Sequence, residues 1–118
     1  MNFMEKQNKK AVGKAYEDLA TAYLIDKGYS IVEKNYRCKL GEIDIIAKDY
    51  DMLVFIEVKY RKTVAFGSPG EAVTYYKKQR ILRSAKWYLR QHYYSEINCR
   101  FDVIEILDEK LSHVEAAF

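Results

Sequence analysis

Three extended segments lie head to tail between residues 29 and 61, and the connections between them are too short for anything but hairpins. "YSIVEKNYR" (29–37) alternates weakly, and "CKLG" then makes a turn. "EIDIIAK" (42–48) puts Ile43, Ile45 and Ala47 on one face and Glu42, Asp44 and Ile46 on the other. "DYD" (49–51) is a tight polar turn, and "MLVFIEVKYR" (52–61) follows. Links of this length join only antiparallel neighbours, so a three-strand meander is expected. Before it, apolar residues from about Lys9 to Lys27 recur at helical spacing (Val12, Ala15, Tyr16, Leu19, Ala20, Tyr23, Leu24), and Gly28 is placed to end that helix.

After the meander, "SPGE" carries the marks of a helix start: Ser68 as cap, Pro69 at the first helical position and Glu71 as the capping-box acid. Helical pattern then runs to about Tyr94, with Thr74 available to cap a second helix. Ile81, Leu82, Ala85, Tyr88, Leu89 and His92 would form its core stripe. "CRFDVIEIL" (99–107) reads as a strand that a helix separates from the third one, which predicts parallel pairing by a right-handed crossover. The tail "LSHVEAAF" is expected to add a short edge strand. The order helix, three strands, helix, strand predicts an α/β fold with a mixed sheet flanked by helices, in one domain over 1–118.

Two charges spoil the third strand. Glu57 and Lys59 fall on the face of Leu53 and Phe55, about 6.6 Å apart along the strand, and Asp44 breaks its neighbour among isoleucines. If "DYD" closes a hairpin, Asp44 comes to lie across from Glu57. Two carboxylates brought together repel, and one keeps its proton unless a cation holds them. A divalent ion such as Mg²⁺ answers that need, because it takes oxygen ligands and leaves room for a phosphate. The other use of such residues is ordinary cross-strand salt bridging on a wet face. Glu17 falls at the edge of the first helix's apolar stripe, from where it can lean toward Asp44, while Asp18 points to solvent. On the second helix Gln79, Arg83, Lys86 and Arg90 line one flank, a polar ribbon suited to a phosphate backbone or simply to water.

Composition narrows the partners. The net charge of +3 is unevenly spread: seven basic residues against Glu96 between Tyr76 and Arg100, then five acids against Lys110 from Phe101 onward. A basic middle suits a polyanion. No run of about 18 apolar residues offers a membrane span, and the polar start "MNFMEKQNKK" has no apolar core of a secretory signal, so a cytoplasmic protein is expected. Cys38 and Cys99 match no zinc spacing and are expected as free thiols. His92 is expected to be packed and His113 to stand isolated, which argues against a two-histidine metal site. Neither a P-loop nor a GxSxG elbow occurs. Among the paired tyrosines Tyr75–Tyr76 and Tyr93–Tyr94, one of each pair is expected to be exposed.

The stretches "GKAYEDLATAYLIDKGY", "YRCKLGEIDIIA", "FIEVKYR", "FGSPGEAV", "KKQR" and "RFDVI" together resemble the YraN family of small bacterial proteins. The helix–strand order with an Asp on the second strand and E-V-K on the third is similar to the PD-(D/E)xK nucleases, archaeal Holliday-junction resolvases among them. The resemblance implies a restriction-endonuclease-like αβββαβ core and metal-dependent cleavage of DNA, branched or otherwise structured. It implies that Asp44 is the central aspartate, Glu57 and Lys59 the ExK pair, Glu17 the first-helix glutamate and Gln79 the helix glutamine. Arg83 stands where a tyrosine is usual after that glutamine, Ile43 where the superfamily has its proline, and Ala116 where the family's ending has asparagine.

On this basis Glu17, Asp44, Glu57 and the Val58 carbonyl are expected to bind Mg²⁺ or Mn²⁺. Lys59 would position water or stabilise developing charge, and Gln79 would orient the group. Arg37, Lys39, Arg61, Arg83, Lys86 and Arg90 are expected to grip phosphates, and a homodimer would suit junction resolution. The alternatives are a non-catalytic nucleic-acid-binding module and an interaction subunit on the same fold.

Overall fold

Strand β3 (Met52–Arg61) is the centre of the molecule, and its sequence shows why. Leu53, Val54, Phe55 and Ile56 are all at most 1% exposed, a near-continuous apolar run that only a strand covered on both faces can bury. The computed structural model describes residues 3–61, 74–92, 94 and 96–118, with backbone alone for 3–9. The SPGE capping sequence and Tyr93 lie outside these residues.

Helix α1 (Phe3–Asp26) leads into β1 (Ser30–Cys38), β2 (Gly41–Asp49) and β3, helix α2 (Tyr75–Gln91) follows, and β4 (Cys99–Leu107) and β5 (Lys110–Val114) close the chain. The sheet order is β1-β2-β3-β4-β5. All neighbours are antiparallel except β3 and β4, which pair in parallel from Leu53↔Cys99 to Arg61↔Leu107. This is the expected α/β core with its mixed sheet, and β5 is the expected edge strand.

Alternation along the strands sends their side chains to two helices. On one face Leu53, Phe55, Ile46 and Val103 pack with Ile81, Ala85 and Tyr88 of α2. On the other, Val54, Ile56, Ile45, Ala47, Ile104 and Ile106 pack with Ala20 and Leu24 of α1. Thr74 caps α2, accepting a hydrogen bond from the Lys77 amide. Gly28 (φ 100) ends α1 as anticipated: its amide donates to Ile25, the Tyr29 amide donates to Leu24 at 2.9 Å, and Leu24 and Tyr29 are buried in one cluster. That double closure with its apolar clasp is a Schellman ending, which needs a left-handed residue.

Three details depart from the sequence pattern. The burying stripe of α1 runs through Tyr16, Glu17, Ala20, Tyr23 and Leu24, and Val12 (45% exposed) and Leu19 (54%) face out. Only the second half of the helix crosses the sheet, so apolar periodicity upstream of it finds nothing to bury against. His92 is not a core residue of α2 but its C-cap, with Nδ1 against the Tyr88 carbonyl at 2.9 Å. Tyr75 and Tyr76 are both exposed, at 71% and 80%.

Candidate active site

The β2–β3 ladder stops at Ile45↔Ile56, whereas β1 stays paired to β2 down to Cys38↔Gly41 and β3 stays paired to β4 up to Arg61↔Leu107. The sheet therefore forks between its second and third strands. The next residues on the two arms are Asp44 and Glu57, facing each other across the opening. Asp44 fills the place of the lost ladder bond: its Oδ2 accepts the Val58 N–H at 2.8 Å. It is thus the amide of Val58, not its carbonyl, that this structure joins to the acids.

Glu57 is only 5% exposed and is ion-paired with the Lys77 ammonium, which reaches it from the first turn of α2. Lys59, two residues along β3, adjoins Lys77. Burial pushes the Asp44 carboxyl up to about 8, with the Glu57 charge adding to the rise and the Val58 hydrogen bond opposing it. Burial likewise lowers the Lys59 ammonium, and the Lys77 charge lowers it further. Burial, the largest single effect, would lower Lys77 too, but the hydrogen bond and charge of Glu57, with smaller contributions from Lys59 and Asp44, together raise the group. An acid moved up and an amine moved down, side by side, are groups drawn toward the pH at which they can exchange protons.

Glu17 approaches from α1. It is half-buried, and its charge is among those that raise Asp44. Burial raises Glu17 in turn, against the pull of Lys34 and Asn35, and its Oε1 is buried with no hydrogen-bond partner. Asn35 stands on β1 between the pairs Lys34↔Ile45 and Tyr36↔Ile43, hence across from Asp44, with φ 54. Asparagine tolerates that left-handed conformation better than most residues, and such strain is commonly held at working sites. Asp18 points outward as expected and pairs with Lys34 at 2.9 Å.

These donors are all carboxylate oxygens, the chemistry of Mg²⁺ and Mn²⁺ rather than of zinc. Among the described residues no group of three or more His, Cys, Asp or Glu side chains is arranged to hold a metal ion. The arrangement suits a hard cation held by two carboxylates, with its remaining positions open to water and phosphate and with the orphaned Glu17 oxygen nearby.

Not every expected residue comes to the site. Gln79 is half-buried on α2 but lies about 200° around the helix from Lys77. Arg61 belongs to a different structure: its guanidinium, 14% exposed, binds Glu105 of β4 at 2.5 Å, so its charge is neutralised inside the sheet and is not presented to a phosphate. The residue missed in the sequence is Lys77. The signal was there, since Lys77, Ile81, Ser84, Ala85 and Tyr88 share one face of α2, and a lysine on a burying stripe calls for a buried partner.

The remaining basic residues cluster beside the site. A cleft of about 660 Å³ between the β1–β2 hairpin and α2 is lined by Arg37, Gly41, Tyr76, Lys77 and Arg80. Glycine suits position 41, whose φ of 151 L side chains rarely adopt, and an added Cβ would also crowd Ser84 Oγ at 3.1 Å. A second groove of about 430 Å³ is lined by Arg83, Lys86, Trp87 and Arg90 with Leu40 of the hairpin. Lys39 is exposed at the hairpin tip, and Arg37 pairs at the surface with Glu42 at 3.3 Å.

Residues 16–106 match the family model described as "Uncharacterised protein family UPF0102". A UPF0102 protein of Caldanaerobacter subterraneus is 44% identical over 122 residues, covering 98% of this chain and all of that protein. Others from Lachnoclostridium phytofermentans (47%, 94% of this chain and 95% of that protein) and Thermodesulfovibrio yellowstonii (49%, 91% and 95%) are similar over nearly their whole lengths. The chain belongs to UPF0102, the YraN family. Glu17, Asp44, Glu57, Lys59 and Lys77 all lie within the segment that the UPF0102 model matches, whereas His113 and the rest of β5 lie beyond it.

No helix among the described residues is long and apolar enough to cross a membrane.

Proposed function

We propose that this UPF0102 protein is a divalent-metal-dependent endonuclease that hydrolyses phosphodiester bonds in DNA, with branched or otherwise structured DNA as its substrate. The observation that carries the reading is the fork itself. Two carboxylates are brought face to face, one of them 5% exposed, beside Lys59 and Lys77, the second of which lines the neighbouring cleft. Without a metal the pair is tolerated through the Asp44 proton and the Lys77 ammonium, and a divalent cation would let both carboxylates ionise.

Asp44 and Glu57, with Glu17 behind them, would hold Mg²⁺ or Mn²⁺, and the ion would polarise the scissile phosphate and acidify a water. The chain's own groups do the rest. Lys59, its ammonium lowered by burial and by Lys77, positions the attacking water and takes up or returns a proton more readily than an exposed lysine. Lys77 neutralises Glu57 and stands ready to face charge developing on the phosphate. That is the orienting task first assigned to Gln79. Arg37, Lys39, Arg83, Lys86 and Arg90 hold the flanking phosphates.

The test is a panel of single-stranded, duplex, forked and four-way-junction DNA incubated with Mg²⁺, with Mn²⁺ or with chelator. Cleavage is expected only with metal, and Asp44→Asn and Lys59→Ala, each shown to be folded by thermal melting, should abolish it. Activity that persists in both variants contradicts the assignment. One feature favours a second reading, a DNA-binding module without catalysis: Glu57 already has a cationic partner in Lys77. That reading predicts salt-dependent binding in the same panel, indifferent to metal and without cleavage.

A further inference from the structure

Helix α2 carries a stripe that neither the core nor the fork uses. Tyr76, Arg80, Arg83, Trp87 and Arg90 follow one another at spacings of four, three, four and three residues, so they lie along one side of the helix. All five are exposed, Tyr76 to 80% and Trp87 to 43%. The two rings stand eleven residues apart, three turns or about 16 Å, with two arginines between them and a third beyond. The stripe is continuous with the candidate site at one end, since Tyr76 and Arg80 line the same cleft as Lys77. At the other end Trp87 and Arg83 line the groove against Leu40. The hairpin walls the stripe from the side, where Arg80 Nε donates to the Leu40 carbonyl at 3.5 Å.

We propose that this stripe is the track for an unpaired stretch of DNA, with Tyr76 and Trp87 stacking on bases and Arg80, Arg83 and Arg90 pairing with the phosphates around them. The assignment rests on the nuclease reading for its substrate and adds that the strand entering the site is single-stranded. A duplex shows a protein only base edges and phosphates, and the faces of its bases are covered by their neighbours. Exposed ring faces between arginines therefore have no use on a duplex, and each exposes apolar surface to water when empty. On a single strand the same elements are a stacking platform and an electrostatic guide, and stacking tolerates any base. Arginine suits the task better than lysine, because its planar fork pairs with phosphate and also stacks on rings. The charge is complementary along the whole length, for the stripe holds three arginines and no acid.

Trp87 is the only tryptophan in the chain, so its intrinsic emission reports on one end of the track alone. The experiment titrates oligothymidylate into the protein with chelator present, and follows tryptophan emission together with the anisotropy of a labelled oligomer. Saturable quenching that weakens with salt is expected, along with much smaller quenching by a blunt hairpin duplex. Trp87→Ala should weaken oligothymidylate binding by about tenfold, and Trp87→Phe should keep most of it. Binding seen by anisotropy without a change in emission overturns the track. So does emission that shifts with protein concentration alone, because a second copy then covers the ring. The same samples supplied with Mn²⁺ and run on a gel separate this inference from the reading beneath it. Metal-dependent cleavage of fully paired duplex with Trp87 unquenched overturns the track and keeps the nuclease. Quenching by oligothymidylate with no cleavage of any substrate keeps the track and overturns the nuclease.

Discussion

Asp44 and Asp102 are carboxylates of one sheet, and their surroundings drive them in opposite directions. Burial and the Glu57 charge hold Asp44 protonated to about pH 8. Asp102, 0% exposed, is pulled down despite its burial, because His113 (2.7 Å), Arg100 (2.9 and 3.0 Å) and the Ala116 amide (3.0 Å) all bond to it. The signs of their effects on stability follow. Unfolded Asp44 gives up its proton near pH 4, so between about 4 and 8 folding must take up a proton, and stability falls as pH rises through that window. Asp44→Asn keeps an acceptor for Val58 and removes the charge. Thermal melts in chelator should show the variant gaining on the native protein as pH goes from 5 to 8.5, and an unchanged difference contradicts the assignment. Asp102 contributes stability above about pH 4 and loses it as pH falls through its lowered value. Asp102→Ala leaves Arg100 without its main counter-charge and should cost about 3–5 kcal/mol in urea unfolding. Asp44 was legible in the sequence, since a charge among isoleucines asks for a reason. Asp102 was not, because its partners Arg100 and His113 meet it only after β5 folds back, and the same strand pairing explains why His113 first looked isolated.

Among the elements, those whose periodicity matches a burying partner were legible and those whose ends depend on tertiary contact were not. The three-strand meander, the parallel crossover into β4 and the Gly28 ending of α1 follow from turn lengths and from one glycine. Gly28→Ala should cost about 1 kcal/mol, because its φ is left-handed while nothing within 4 Å would obstruct the added methyl. Urea denaturation measures that cost, and a neutral or stabilising result contradicts the Schellman assignment. The burying stripe of α1 was misplaced because the apolar period begins before the sheet does. The place of Lys77 on the burying stripe of α2 was readable but its partner was not, because Glu57 lies on a strand whose depth in the sheet only the complete fold determines. Arg61 and Glu105 pair across β3 and β4 by the same logic, two charges that each look exposed in sequence and that bury one another.

At the scale of the whole molecule, the sheet keeps chain order across all five strands; its β1–β2 ladder shifts register between Ile31 and Glu33, and it opens as a fork between β2 and β3. Both helices send a charged residue there, Glu17 from α1 on one face and Lys77 from α2 on the other, so the site collects groups from every layer of the fold. The basic surface lies on the hairpin and α2 sides of that opening, where a polyanion can reach the acids without crossing the acidic stretch from Phe101 onward. On the proposed function, the fork holds a divalent cation. Calorimetric titration of Mn²⁺ at pH 8 into chelator-stripped protein tests it most directly, at a pH where about half of the proton competition at Asp44 is gone. Saturable binding to the native protein is expected, which Asp44→Asn and Glu57→Gln each remove while Asp102→Asn leaves it intact. No saturable heat with the native protein, or binding that survives both substitutions at the fork, contradicts it.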